Sequence, residues 1–194
     1  MRITGVPRVF RFKWPLKTTV NPILNNELSW SPWGVFNTEN IHCYTDDYRF
    51  EVTWRNPELA LQRVLGLNLV IAPDFTVYPT ADPIVNRWQL YRSLAVFSYW
   101  QSMGVNVIPS LNWVSPDQIR ADADLYPRFS TVAVRCPGTK YYNKWVDGIT
   151  ELKKIVQPET VLHFGTKLGL DVWSDEVIYH FKLRSNACCC TECA

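Results

Sequence analysis

From residue 46 onward, apolar and polar positions fall into short blocks whose spacing switches between two and three to four residues. Asp47 to Trp54 alternates Tyr48, Phe50, Val52 and Trp54, which predicts a strand. Asn56-Pro57 then supplies an N-cap with proline at the first helical position. Leu59, Leu61, Val64 and Leu65 mark a short helix, with Gly66 placed to close it in the left-handed conformation. Leu67 to Ala72 is a continuous apolar run of the kind buried in a parallel sheet. Asp82-Pro83 caps a long helix reaching Met103, with Ile84, Trp88, Tyr91, Ala95 and Tyr99 at helical spacing and Gly104 at its end. Val105 to Leu111 predicts a strand. Ser115-Pro116-Asp117-Gln118 is a capping box opening a short helix that stops before Pro127. Thr131 to Arg135 predicts a strand, and Asn143 to Gln157 a helix with Trp145, Ile149, Leu152 and Val156 on one face. Pro158 stops that helix, Thr160 to Phe164 predicts a strand, and Val177 to Leu183 a final strand or helix.

Strand followed by helix, four times over and then a fifth strand, is the rhythm of a parallel sheet with helical crossovers. No GxGxxG or GxxxxGK[ST] follows any strand, which argues against a doubly wound nucleotide fold. The fold class expected is α/β: a curled or incomplete (β/α) barrel-like parallel sheet of five to six strands, plus an irregular N-terminal arm. A complete barrel needs about 250 residues, more than this chain has. Residues 1–45, broken by Pro7, Pro15, Pro22 and Pro32, form the arm packed on the body. Residues 46–184 form a single α/β domain, and residues 185–194 a flexible, cysteine-rich tail.

Composition narrows this picture little. With 194 residues, 47% apolar and 20% charged, the chain suits one ordered domain. No apolar run is long enough to cross a bilayer, so no membrane partner is expected. Residues 1–26 lack a continuous apolar core of a secretory signal, which points to the cytoplasm. The net charge of +2 is small, yet residues 1–26 carry +5 and the remainder −3. Such an arm can touch phosphates, although five dispersed charges also suit a solvated segment packing Phe10, Phe12 and Trp14. Four of the six cysteines fall in the last seven residues. Cys190-Thr-Glu-Cys193 has the spacing that lets two thiolates reach one metal ion. No second pair completes a four-ligand site in the sequence, so a reduced tail is the simpler reading.

Between Trp54 and Trp113 an unusual set of residues recurs in order. These are Trp54-Arg55-Asn56-Pro57, Ala72-Pro73-Asp74-Phe75 with Tyr78, then Trp88, Tyr91-Arg92-Ser93, Tyr99-Trp100-Gln101 and Gly104. Val107-Ile108-Pro109 and Trp113 complete it, with a weaker extension to Phe164-Gly165. The chain resembles the family called domain of unknown function 4417 over most of residues 30–170. The resemblance implies a protein of phages, plasmids and other mobile elements, and hence the host cytoplasm. It implies no activity and no catalytic residues.

In parallel β/α proteins function collects at the carboxyl ends of the strands. Reading those ends gives Arg55, Asp74, Tyr78, Asn112, Trp113, Arg135 and His163. Asp74 follows an apolar strand and Pro73, and can serve as general base or as ligand of a divalent metal. Loop hydrogen bonding is its structural alternative. His163 can pair with it as an acid–base couple, or sit as a satisfied core residue. Cys136 beside Arg135 reads as an inert buried thiol before it reads as a nucleophile. Gly138-Thr139-Lys140 and Gly165-Thr166-Lys167 follow consecutive strands. Glycine admits close backbone approach, threonine a hydroxyl and lysine a charge, the parts of a phosphate cradle. Trp113 and Tyr78 are placed to stack a base or sugar. The functional expectation is an enzyme acting on a phosphorylated substrate, a nucleotide or nucleic acid, with Asp74, His163 and Asn112 catalytic. The alternative is a non-catalytic protein that binds nucleic acid or a host protein.

Overall fold

The computed structural model describes residues 5–11, 22–126, 128–136, 139 and 142–183. Eight short strands are present among them: β1 (Trp30–Pro32), β2 (Asn40–His42), β3 (Leu69–Ile71), β4 (Val107–Ile108), β5 (Ser110–Leu111), β6 (Thr131–Cys136), β7 (Thr160–Gly165) and β8 (Val177–Phe181). They form two four-stranded sheets, ordered β1-β2-β3-β4 and β5-β6-β7-β8, and every pairing is parallel. One segment serves both sheets. The Ala72 N–H donates to the Ile108 carbonyl and the Ala133 N–H to the neighbouring Pro109 carbonyl, each at 2.9 Å. Pro109 has no N–H to give a ladder, which splits the strand expected over 105–111 into β4 and β5.

Six α-helices accompany the strands in the described residues: α1 (Asp47–Phe50), α2 (Val52–Arg55), α3 (Pro57–Val64), α4 (Pro83–Ser102), α5 (Pro116–Ala121) and α6 (Tyr142–Val156). The caps are those the sequence predicts. Asn56 Oδ1 accepts from the Leu59 N–H, Asp82 Oδ1 from Ile84 and Ser115 Oγ from Gln118.

Three expectations are corrected. Residues 47–54 are helical, not a strand: Phe50 and Trp54 are the buried pair while Tyr48 is exposed. Alternation at 48, 50, 52 and 54 also contains the i, i+4 spacing of a helix, and packing selects the latter. The first 45 residues are not irregular throughout, because β1 and β2 lie within them and raise the strand number above five to six. The α4 stripe is only half core. Ile84, Trp88 and Tyr91 are exposed, whereas Leu90, Val96, Phe97 and Trp100 are buried. This helix is apolar on nearly every side, so spacing alone does not select its inner face.

Side chains alternate across the sheets. Val70, Val107, Val132, Val134 and Val161 join Trp100, Ile149 and Val156 of the helices in one cluster. Leu69, Ile71, Ile108, Ala133, Leu162, Phe164 and Phe181 form a second cluster on the opposite face. Trp30 of β1 packs into the latter, its ring centroid 5.2 Å from Phe164 and 5.5 Å from Phe181. No ladder joins β1 to β8 among the described residues, and no closed barrel is formed there.

Candidate functional site

The parallel strands bring their carboxyl ends to one rim, and the loop after β3 is the most firmly held part of it. The Phe75 ring lies under the Arg92 guanidinium at 3.7 Å and edge-on to Phe50. Its N–H donates to Ser93 Oγ at 3.3 Å, and its carbonyl accepts from Asn112 Nδ2 at 2.8 Å. The Thr76 N–H and hydroxyl donate to the Asp47 carboxylate at 3.0 and 2.7 Å. Helices α1 and α4 and the end of β5 thus fix the backbone that follows Asp74.

Asp74 points to Ser110, whose Oγ lies 3.3 Å from Asp74 Oδ1 and 3.2 Å from Tyr44 Oη. One hydroxyl proton serves either acceptor, so Asp74, Ser110 and Tyr44 form a short chain for handing on a proton. Burial raises the Asp74 carboxyl to about 7, with Asp47 adding to the shift and Arg135 and Ser110 opposing it. Burial raises the Tyr44 hydroxyl and the Cys43 thiol well above their ordinary values, and the Asp74 charge adds to both. His42 lies at the end of β2, and its Nδ1 accepts the Tyr44 N–H at 3.2 Å. Burial and then the Arg135 charge lower it to about 4, so it is neutral at pH 7 with the ring proton on Nε2. Arg135 therefore acts electrostatically on His42, Tyr44 and Asp74 together.

Arg135 also borders an open cleft of about 590 Å³ at the ends of β6, β7 and β8, lined with Thr166, Lys167, His180 and Lys182 among others. Its lining has three permanent cations and no carboxylate among the described residues. Gly165 shapes its floor. With φ +104°, a Cβ there would stand 2.7 Å from the Cys136 carbonyl, so only glycine fits. Thr166 Oγ1 donates to Cys136 Sγ at 3.4 Å. Burial raises the Cys136 thiol, against the Thr166 hydrogen bond, which fits an inert sulfur better than a nucleophile.

The structure gathers some of the residues singled out from sequence and separates others. Asp74 and Arg135 belong to one rim with Thr166 and Lys167 nearby. His163 does not pair with Asp74. It points to the helix side of β7, its ring edge-on to Trp145, with Nδ1 3.4 Å from Nδ1 of His180. The side-chain nitrogen and oxygen of Asn112 are both engaged with backbone, at Phe75 and at the Trp113 N–H, so it positions the Asp74 loop. Trp113 packs on α6 beside Trp145 rather than standing free to stack a ligand. Tyr78 is exposed, its backbone clasped by Asn86. Arg55 sits on α2 and pairs with Glu51, because the strand expected before it is helical. Thr139 is exposed, while Gly138, Lys140, Cys190, Cys193 and the tail as a whole lie outside the described residues. His42, Tyr44 and Ser110 were not singled out. The short alternation Asn40-Ile41-His42-Cys43-Tyr44 is the one signal that could have found the first two, and Ser110 follows Pro109 directly.

Parallel strands in sequential order within each sheet, with a buried carboxyl and a cationic cleft at their carboxyl ends, define a parallel α/β protein. The chain belongs to the family described as domain of unknown function (DUF4417), whose model matches residues 34–182. It is 36% identical over 131 residues to the Gene 1 protein of Mycobacterium phage L5, covering 64% of this chain and 56% of that one. Against the Gene 1 protein of Mycobacterium phage D29 it is 34% identical over 131 residues, covering 64% and 48%. The chain spans about half the length of these curated relatives. No solved structure matches it significantly. No helix among the described residues is long and apolar enough to cross a membrane.

Proposed function

We propose that this is a phage protein whose two sheets are the walls of one incomplete β/α barrel, and that its rim binds and acts on a phosphorylated substrate. The sequential strand order supports the barrel, as does Trp30 of β1 packing against Phe164 and Phe181 at the far end of the strand order. The observation that carries the function is the convergence of Arg135, Lys167 and Lys182 on one cleft with no described carboxylate in its lining. Three cations suit the oxygens of a phosphate group on a nucleotide or nucleic-acid end. In the sequence, Gly138-Thr139-Lys140 follows the neighbouring strand β6 with the same composition as Gly165-Thr166-Lys167.

Asp74 stands beyond Arg135 with a carboxyl near 7, the range in which one group can both take and give a proton at neutral pH. In this reading Arg135 holds the phosphate, Asp74 moves a proton at the neighbouring substrate atom, and Ser110 and Tyr44 relay it. Calorimetric titration with a nucleoside diphosphate tests the binding step. Lys167→Ala and Lys182→Ala are each expected to weaken binding by about 1–3 kcal/mol, the range for a charge-assisted hydrogen bond, without unfolding the protein. Equal binding by wild type and the double variant ends the reading.

A second reading has one observation in its favour. Ile84, Trp88 and Tyr91 form an exposed stripe on α4, with Trp88 stacked on Tyr91 at 5.5 Å. Such a surface suits a protein partner. Trp88→Ala leaves nucleotide binding unchanged if the first reading holds.

A further inference from the structure

His180 lines the cationic cleft together with Arg135, Lys167 and Lys182. Its ring is half-buried, and its Nδ1 stands 3.4 Å from Nδ1 of His163, its register neighbour on β7. The Leu168 carbonyl lies toward the His163 ring and the His163 carbonyl toward the His180 ring, each favouring a protonated imidazole. A neutral pair of imidazoles holds two ring protons. Three acceptors face them here, the two carbonyls and one of the facing Nδ1 atoms. The pair can therefore accommodate a third proton.

The surroundings hold that proton off. Burial, with the charges of Lys167 and Lys182, lowers the His180 ring below its ordinary value. Burial and the neighbouring His180 lower His163 to about 4. Other groups near the pair do not offset these cations. Arg135 adds a further positive charge to the lining, and burial of the Cys136 thiol keeps it protonated. Helix α6 presents Trp145 edge-on to His163, and its Lys153 is paired with Glu176 at 3.0 Å and Asp175 at 3.4 Å. Asp171, on the 3-10 turn Leu170–Trp173 beside β8, is exposed. An anion among Lys167, Lys182 and Arg135 would cancel the field that keeps the third proton away. Linkage is reciprocal, so a proton on the pair strengthens the anion's hold in turn.

We propose that His180 is the proton-linked element of the anion site: occupation of the cleft draws one proton onto the His163–His180 pair, and the cleft grips anions more tightly as pH falls. This regulation rests on the anion site proposed above. Sulfate is the probe, because its charge stays fixed between pH 5 and pH 8, where phosphate titrates. Its binding to the full chain is measured by calorimetry at pH 7.5 and pH 5, and the histidine ring signals are followed by proton NMR with and without saturating sulfate. Bound sulfate is expected to raise the pH at which the His180 ring titrates by at least half a unit. Between pH 7.5 and pH 5 the wild-type affinity should gain at least twofold more than that of His180→Gln. Asp74 also loses charge over this range, but in both chains, so the difference between them isolates His180. His180→Asn takes the place of the glutamine variant if circular dichroism shows that one misfolded, and the wild-type ring titration decides the question if neither folds. Sulfate that saturates the cleft amides while His180 titrates unchanged overturns the proposal and leaves the anion site standing, as does an equal pH gain in the two chains. No saturable response at Arg135, Thr166 and Lys167 at either pH overturns both.

Discussion

Asp74, the proton carrier of the proposed function, is a buried carboxyl whose ionisation works against the fold. Its carboxyl titrates near 7 in the folded protein and near 4 when unfolded, so the folded state holds the proton more tightly. Its contribution to stability is fully present below pH 4 and is lost as pH rises through 7. Asp74→Asn removes the charge at every pH. The substitution is expected to stabilise the protein by ~1–3 kcal/mol at pH 8 and to change little at pH 4, measured by urea unfolding at both. A loss of stability at pH 8 would show the carboxylate to be a loop anchor instead. His42 works in the opposite sense. Lowered to about 4, it leaves stability intact above its unfolded value near 6.5 and removes it as pH falls toward 4. Its ring signals in a proton NMR titration should therefore stay at neutral positions down to pH 5.

At the scale of elements, close contacts decide which helix faces are tolerated. Gly148 lies inside α6, where helix preference alone favours alanine by about 1 kcal/mol. A Cβ at Gly148 would, however, sit 1.9 Å from the Trp113 indole nitrogen. Gly148→Ala must displace Trp113 from its place beside Trp145. It is expected to destabilise the protein by about 1–3 kcal/mol, the range for overpacking, in a thermal melt. A stabilised variant would mean that the indole moves freely. The same close packing explains what the sequence could and could not tell. Proline and cap residues write helix starts locally, so α3, α4 and α5 were legible at Asn56, Asp82 and Ser115. Apolar runs made β3, β6 and β7 legible. The short alternation over 47–54 satisfied both periods, and only burial of Phe50 and Trp54 against other elements separates them. Asp74 and Arg135 were visible because they stand at the carboxyl ends of strands legible in the sequence. His42, Tyr44 and Ser110 reach the rim through strands of two or three residues, too short to leave a pattern.

For the whole molecule, the proposed site draws its residues from both sheets. The first sheet contributes His42, Tyr44 and Asp74. The second contributes Ser110, Arg135, Thr166 and Lys167, and Arg135 bears electrostatically on the first group. A phosphate in the cleft would partly neutralise Arg135 and so weaken its pull on the Asp74 proton. The carboxyl of Asp74 is therefore expected to titrate higher when the cleft is occupied, which carbon-13 NMR of labelled aspartate can read. The central claim, that an anion binds where β6, β7 and β8 end, is tested most directly by amide NMR during titration with inorganic pyrophosphate. Saturable shifts are expected at Arg135, Gly165, Thr166 and Lys167, with the Trp88 indole on α4 unmoved. Shifts that stay unsaturated, or that centre on α4 while the cleft amides remain still, would contradict it.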